Sequence, residues 1–395
     1  METIAPTDAS APSPDATTRA TAWLKAWDSQ GTHRSATVGD QAGADWLIRE
    51  AAGLGAAPEV ETFALDRLDP VDVYVEFDGT RIPGIPVFDA PATGADGVVG
   101  TLGPIEAEPG IAVAELSPRS VYTPDYERLR RRAGHHGLVI VCEGAQPGLG
   151  LLNAERFRHP YGAPAIHVSS EASDAVLAAS ARRVSARLVA ASSRTRAQAC
   201  NVVVRIDGQD CTRPPVVVMT PRSSWWQSTA ERGGGIVCWL ESLRAMVASP
   251  PLCDVIFTAN SGHELGHLGL DDFTTRHPGW DRPVAEGGAV WVHYGANIGA
   301  VGGELSIQST NDDLRGLAAA ELTHAGQQPD HIAPKTLVPT GETRDIHRAG
   351  GCYVTLVGSN PLFHLPQDRW PHAVDASVVA RVAAAASRLV VRLTR

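Results

Sequence analysis

The stretch Ser261-Gly262-His263-Glu264-Leu265-Gly266-His267-Leu268-Gly269-Leu270 decides how this chain is read. Its letters permit two incompatible metal readings. In one, His263 and His267 lie one helical turn apart and bind a metal from the same helix face, while Glu264 activates a water molecule. In the other, Glu264 alone is a ligand and the histidines do something else. The helical reading needs i, i+4 spacing inside a continuous helix. Gly262, Gly266 and Gly269 all interrupt the stretch, and each glycine inside a helix costs about 1 kcal/mol relative to alanine. The glycine that an extended form of the pattern requires is replaced by Leu270. Just upstream, Asp254 to Asn260 is a short β-rich run bounded by turn residues. The ten residues therefore sit at a strand-to-helix junction, where open α/β sheets gather their functional groups.

Working outward, Asn201 to Ile206 and Pro215 to Met219 are nearly continuous apolar runs, as expected of strands covered on both faces. A helix is expected over Gly235 to Ala248, further strands over Gly288 to His293 and Gly351 to Val357, and a C-terminal helix over Ser377 to Val391. Towards the N-terminus, Ala20 to Trp27 and Asp40 to Leu54 read as amphipathic helices and Pro58 to Ala64 as a strand. Between about Val71 and Thr195 short strands separated by Pro/Gly turns prevail: Val71 to Phe77, Gly110 to Ala114, Leu138 to Cys142 and Ala165 to Val168. Strands alternating with helices predict a three-layer α/β sandwich with a mixed, mostly parallel central sheet. The expected division is a disordered tail over 1–18, the first part of the α/β domain over 19–70, a β-rich insertion over 71–195, and the main part of the α/β domain over 196–395.

The 395 residues carry a formal net charge of −10, which disfavours a nucleic-acid partner. The basic run Arg128 to Arg132 reads as an exposed helix face. Six scattered cysteines without CxxC spacing argue against a thiolate metal site, and free thiols are expected. No apolar run approaches a membrane span, and the Ala/Pro/Ser/Thr-rich start has no charged-then-apolar leader pattern. The expected location is the cytoplasm, with no membrane partner; oligomerisation is left open.

The order of these motifs resembles the di-zinc aminopeptidases, the family that includes aminopeptidase Y, glutamate carboxypeptidase and glutaminyl cyclase. Gly31-Thr-His-Arg34 and Gly39-Asp40 are similar to that family's opening segment, and the β-rich region ending in Gly162 to Val168 resembles its inserted protease-associated domain. The resemblance places the family's metal ligands unevenly. Where the family has a strand ending in His-x-Asp, this chain has Pro221-Arg222-Ser223. The metal-bridging aspartate falls at Glu231, and Gly-Glu-Glu-x-Gly falls on Gly262 to Gly266, so Glu264 keeps the ligand position and His263 takes that of the general base. The strand aspartate falls at Gly295, the last histidine ligand at His364, and the tyrosine before it at Phe363.

The resemblance thus implies that one metal set is lost at Pro221 and Gly295, while the other survives as Glu231, Glu264 and His364. A single divalent metal is expected there, zinc first, with manganese or iron as alternatives. His263 reads as base, fourth ligand or structural hydrogen bonder. Arg222, Trp225, Trp226, His293 and Phe363 are candidate pocket residues, whereas His267 and His293 also fit structural roles. Arg222 and Arg232 could supply positive charge where the first metal is missing. The implied activity is metal-dependent hydrolysis of an amide or peptide-like bond in a small molecule or short peptide. The alternatives are an inactive relative that serves as a binding module, and a single-metal cyclase or amine-displacing enzyme.

Overall fold

In the computed structural model, residues 14–106, 110–132 and 134–395 are described. Helices α1 (Pro14–Asp28) and α2 (Val38–Gly53) precede the long strand β1 (Pro58–Phe77). Strands β2 (Thr80–Pro86), β3 (Val98–Pro104) and β4 (Gly110–Leu116), helix α3 (Pro124–Arg130), strands β5 (His135–Cys142) and β6 (Ala165–Val168), and helix α4 (Ser173–Arg182) follow. The second long strand, β7 (Ser185–Ile206), leads into β8 (Val216–Pro221), α5 (Gly234–Ala248), β9 (Val255–Asn260), α6 (Leu268–Arg276) and β10 (Val290–Tyr294). The chain finishes with β11 (Leu305–Ser309), α7 (Asp312–His324), β12 (His331–Ile332), α8 (Thr343–Arg348), β13 (Cys352–Gly358) and α9 (Ala376–Leu393).

The main sheet runs β1-β7-β9-β8-β10-β13-β11-β12. Its centre, β9-β8-β10-β13, is parallel, and antiparallel strands flank it. The apolar runs behave as strands covered on both faces should. Val202, Val204, Val216, Val218 and Phe257 pack under α1, α5 and α9, while Val203, Val217, Met219 and Ile256 pack on the other side with Leu270, Phe273 and Ile346 of α6 and α8. The result is a three-layer α/β sandwich.

Between β1 and β7 lies a smaller unit. Strands β3, β4, β5 and β6 pair in parallel, β2 joins β6, and the unit has its own apolar core. The paired β1 and β7 run from Pro58↔Val204 to Phe77↔Ala186, passing through residues 71 and 195 as one ribbon with a register shift between Pro70 and Asp72. The expected tail is corrected where it can be seen: residues 14–18 belong to α1, and 1–13 lie outside the described residues. In the basic run Arg128, Arg131 and Arg132 are exposed as expected, and the correction concerns Arg130 alone. Arg130 is buried, pairs with Asp89 at 2.9 Å and donates to Tyr126 Oη, so it braces α3 and is not part of an exposed face.

Candidate active site

The C-terminal ends of β8, β9, β10 and β13 open on one edge of the sheet, and the loops beyond them carry the site. After β9 the chain turns sharply: Gly262, Gly266 and His267 have φ of 78°, 77° and 60°. Only residues 263–265 form a short 3₁₀ turn, so the helical pairing of His263 with His267 is excluded. After β8, residues 229–233 form a widened turn that continues into α5. Asp368 holds this turn, accepting the amides of Ala230 at 2.7 Å and Glu231 at 3.0 Å. Gly234 and Gly235 let it lie against the end of β10. A Cβ on Gly234 would stand 2.0 Å from the Ile298 carbonyl oxygen, and one on Gly235 would stand 2.7 Å from Thr220 Oγ1. Four non-glycine residues around the site, Ser228, His267, Asn297 and His364, have φ between 50° and 68°. Such backbone costs on the order of 1 kcal/mol or more per residue and concentrates where function dictates geometry.

Glu231, Glu264 and His364, far apart in sequence, are brought together and fully buried. What lies between the two carboxylates is the guanidinium of Arg232. Its Nη2 is 2.9 Å from Glu231 Oε1 and donates to Glu264 Oε1 at 2.6 Å, and its Nε donates to the Ser223 carbonyl oxygen at 2.6 Å. Ser223 Oγ donates to the other Glu264 oxygen at 2.7 Å and accepts the His263 amide at 3.1 Å. His364 donates from Nδ1 to the Leu151 carbonyl oxygen at 2.7 Å, leaving Nε2 3.4 Å from Glu231 Oε1. Burial alone would raise the Glu231 carboxyl, but the charges of Arg232 and then His364 bring it down to about 2.

This donor set does not fit a divalent metal while Arg232 is in place. Both Glu264 oxygens are already engaged, and metal–oxygen bonds of about 2.0–2.2 Å would press a second cation onto a buried guanidinium in a medium that screens charge poorly. Among the described residues, no group of three or more His, Cys, Asp or Glu side chains is disposed to hold a metal ion.

Beside this ion cluster lies a cleft of about 390 Å³, lined by His263, His293, Gly295, Asn297, Phe363 and Tyr122 among others. Beneath its floor, Glu342 is fully buried, with Oε1 3.7 Å from His263 Nδ1 and Oε2 3.9 Å from His293 Nε2. Both Glu342 oxygens, His263 Nδ1 and both His293 nitrogens are buried without a hydrogen-bond partner. Burial, with Arg232 and the neighbouring imidazoles adding to it, holds His263 well below the usual histidine value, and burial pushes His293 down to about 3. Burial pushes the Glu342 carboxyl up to about 7, against the pull of His267 and Arg232. His267 adjoins His263, with ring centroids 5.0 Å apart, and its Nδ1 is 2.5 Å from Asp345 Oδ2. Burial alone would lower His267, but the Asp345 contact and nearby carboxylates raise it.

Of the sequence candidates, His263, His293 and Phe363 line the cleft. Arg222, Trp225 and Trp226 do not. Arg222 is a buried strut that donates to Asp40 Oδ1 at 2.7 Å and to the Cys200 carbonyl oxygen at 2.6 Å. Trp225 packs on Phe88 and donates to Asn153 Oδ1, and Trp226 donates to the His364 carbonyl oxygen. The two indoles hold loops in place and form no part of the cleft wall. Sequence reasoning missed Ser223, Glu342, Asp345 and Asp368. Asp368 lies four residues after His364 and could have been found there; Glu342 has no local signal at all.

No family model matches the chain, and no curated protein matches it. Solved structures do. A zinc aminopeptidase from Bacillus subtilis aligns at a TM-score of 0.74 and 16% identity over 94% of this chain and 93% of its own. An aminopeptidase from Aneurinibacillus sp. strain AM-1 aligns at 0.70 and 15% identity over 98% and 95%. Glutaminyl cyclase from Porphyromonas gingivalis aligns at 0.50 and 10% identity over 94% and 96%. The fold is therefore that of the zinc aminopeptidases, and at these identities the likeness concerns the fold alone.

Proposed function

We propose that the cleft is the active site of an enzyme that breaks an amide or peptide-like C–N bond in a small molecule or short peptide. The observation that carries this reading is the set of buried, unpartnered polar atoms on His263, His293 and Glu342 beside the cleft. An unpaired buried polar group costs about 1–3 kcal/mol, so a cluster of them needs a purpose beyond the fold. Neutral His263 can accept a proton from an attacking water or, as a cyclase would need, from an internal amine. Glu342, titrating near neutrality, stands 3.7 and 3.9 Å from the two imidazoles, so a small closing movement or one bridging water lets it pass a proton to them and so to the leaving amine. Burial first, and then the charge of Arg232, keep His263 neutral. The metal-activated water that the family resemblance implies would require Glu231, Glu264 and His364 to be free of Arg232, which pairs with both carboxylates.

A binding module with the chemistry lost is the second reading, favoured by the departures at Pro221 and Gly295 from the metal-ligand pattern. One experiment separates the two. Mass-spectrometric screening of aminoacyl amides, dipeptides and N-acyl amines should find turnover by the wild type. His263→Ala should reduce it by about 10²–10⁴-fold while the protein stays folded by circular dichroism. A bound compound that is never converted would support the binding module and end the enzymatic reading.

A further inference from the structure

We infer that Arg232 is the permanent cation of this site, and that it fills the place of a metal ion and keeps the protein metal-independent. Two buried carboxylates facing each other need a counter-charge, since leaving a buried charge uncompensated is strongly destabilising. Here the counter-charge is covalently part of the chain. Arg232 is fully buried, its Nη2 is shared by Glu231 and Glu264, and its Nε is fixed by the Ser223 carbonyl oxygen. The surroundings are built to match. Ser223 Oγ occupies the Glu264 oxygen that the guanidinium does not reach. Glu231, one methylene longer than an aspartate, lies just after Ser228 in left-handed backbone; its amide is held by Asp368, and its own carboxylate lies 2.9 Å from Arg232 Nη2. Gly295, which lines the cleft, puts no carboxylate at its own position at the end of β10. Serine, arginine and glycine at these three places form one consistent set: each removes a reason for a metal or supplies what it would have supplied.

The same geometry predicts what the site becomes when the guanidinium is removed. Arg232→Ala leaves Glu231, the Glu264 oxygen not held by Ser223, and His364 Nε2 around a vacancy, two carboxylates and one imidazole with no internal cation, which are donor types that zinc takes.

The test uses the full chain with zinc alone as the probe and is independent of whether any substrate is turned over. Wild type, Arg232→Ala and Arg232→Ala/Glu264→Gln would be equilibrated with zinc, dialysed, assayed for metal and titrated calorimetrically. The expectation is less than about 0.1 zinc per chain for wild type, near one for Arg232→Ala with a higher melting temperature in zinc, and loss of that zinc in the double variant. Melting of the wild type should be unchanged by a chelator, a result that stands even if Arg232→Ala fails to fold. About one zinc per wild-type chain that is lost on Glu264→Gln, or a melting temperature lowered by chelation and restored by zinc, would overturn the inference. So would a folded Arg232→Ala that takes up no zinc.

Discussion

Glu342 is the residue whose environment makes the sharpest demand. Burial raises its carboxyl to about 7 from an ordinary 4.5. In that interval the folded protein keeps a proton that the unfolded chain gives up, so stability falls as pH rises from about 4.5 to 7 and is flat above. Glu342→Gln removes this dependence. The variant should be nearly as stable as wild type at pH 5 and more stable at pH 8, with each tenfold change in acidity corresponding to about 1.4 kcal/mol. Urea unfolding at the two pH values measures the difference, and an equal gap at both would contradict it. At this scale the sequence was only half legible. Glu231, Glu264 and His364 were found because a motif order pointed at them, and their convergence around Glu231 Oε1 and Arg232 was implied by no local pattern. Arg232 was visible as a spare positive charge, but that it lies between the carboxylates depends on the turn that aims it. Glu342 sits in a loop that is distant in sequence from both of its imidazole partners, and only the fold joins them.

At the scale of elements, the widened turn over 229–233 does most to shape the site. It has no side-chain cap of its own and depends on Asp368, whose carboxylate takes two of its amides and is itself steadied by Asn360 Nδ2 at 3.1 Å. Asp368→Ala strips buried N–H groups of their acceptor, at about 1–3 kcal/mol for each group. Stability should drop by on the order of 2–4 kcal/mol, with Asp368→Asn losing less because one oxygen remains. Chemical denaturation distinguishes the three proteins, and an unchanged midpoint for Asp368→Ala would mean that the turn holds itself. Regular elements were far easier to foresee than this turn. The apolar runs of β7, β8 and β9 and the amphipathic α9 advertise a two-faced sheet and its cover through periodicity alone. The short 3₁₀ turn at 263–265 was anticipated only negatively, through the glycines that forbid a helix. Helix α7 and strand β11 were not foreseen, because neither has a long enough apolar period to stand out.

At the scale of the whole molecule, the unit carried on β1 and β7 contributes to the site. From it, the Leu151 carbonyl oxygen fixes His364, the Ala154 amide donates to the Glu264 carbonyl oxygen at 2.7 Å, and Glu155 pairs with Arg344 at 2.7 Å next to Asp345. The same unit supplies Arg119 and Tyr122 to the cleft wall. Tyr122 Oη accepts from Asn153 Nδ2 at 3.3 Å and is therefore held in place. Arg119 is exposed and has no ion-pair partner among the described residues, so its charge is free to meet a ligand. A guanidinium at the rim, remote from His263 and Glu342 in role, should act on capture and not on chemistry: it would attract an anionic group such as a substrate carboxylate and leave the bond-breaking step alone. An exposed pair of this kind is worth about 0.2–1 kcal/mol. Arg119→Ala should therefore raise KM by roughly two- to five-fold for a carboxylate-bearing substrate and leave kcat unchanged, with Arg119→Lys recovering most of the loss. Added salt should shrink the difference between wild type and Arg119→Ala, because screening removes the same attraction. Steady-state kinetics at low and high ionic strength, with a carboxylate substrate and its amide, read all of this at once. A fall in kcat, or an equal effect on the uncharged amide, would place Arg119 in a structural role and confine the inserted unit to supporting His364 and Glu264.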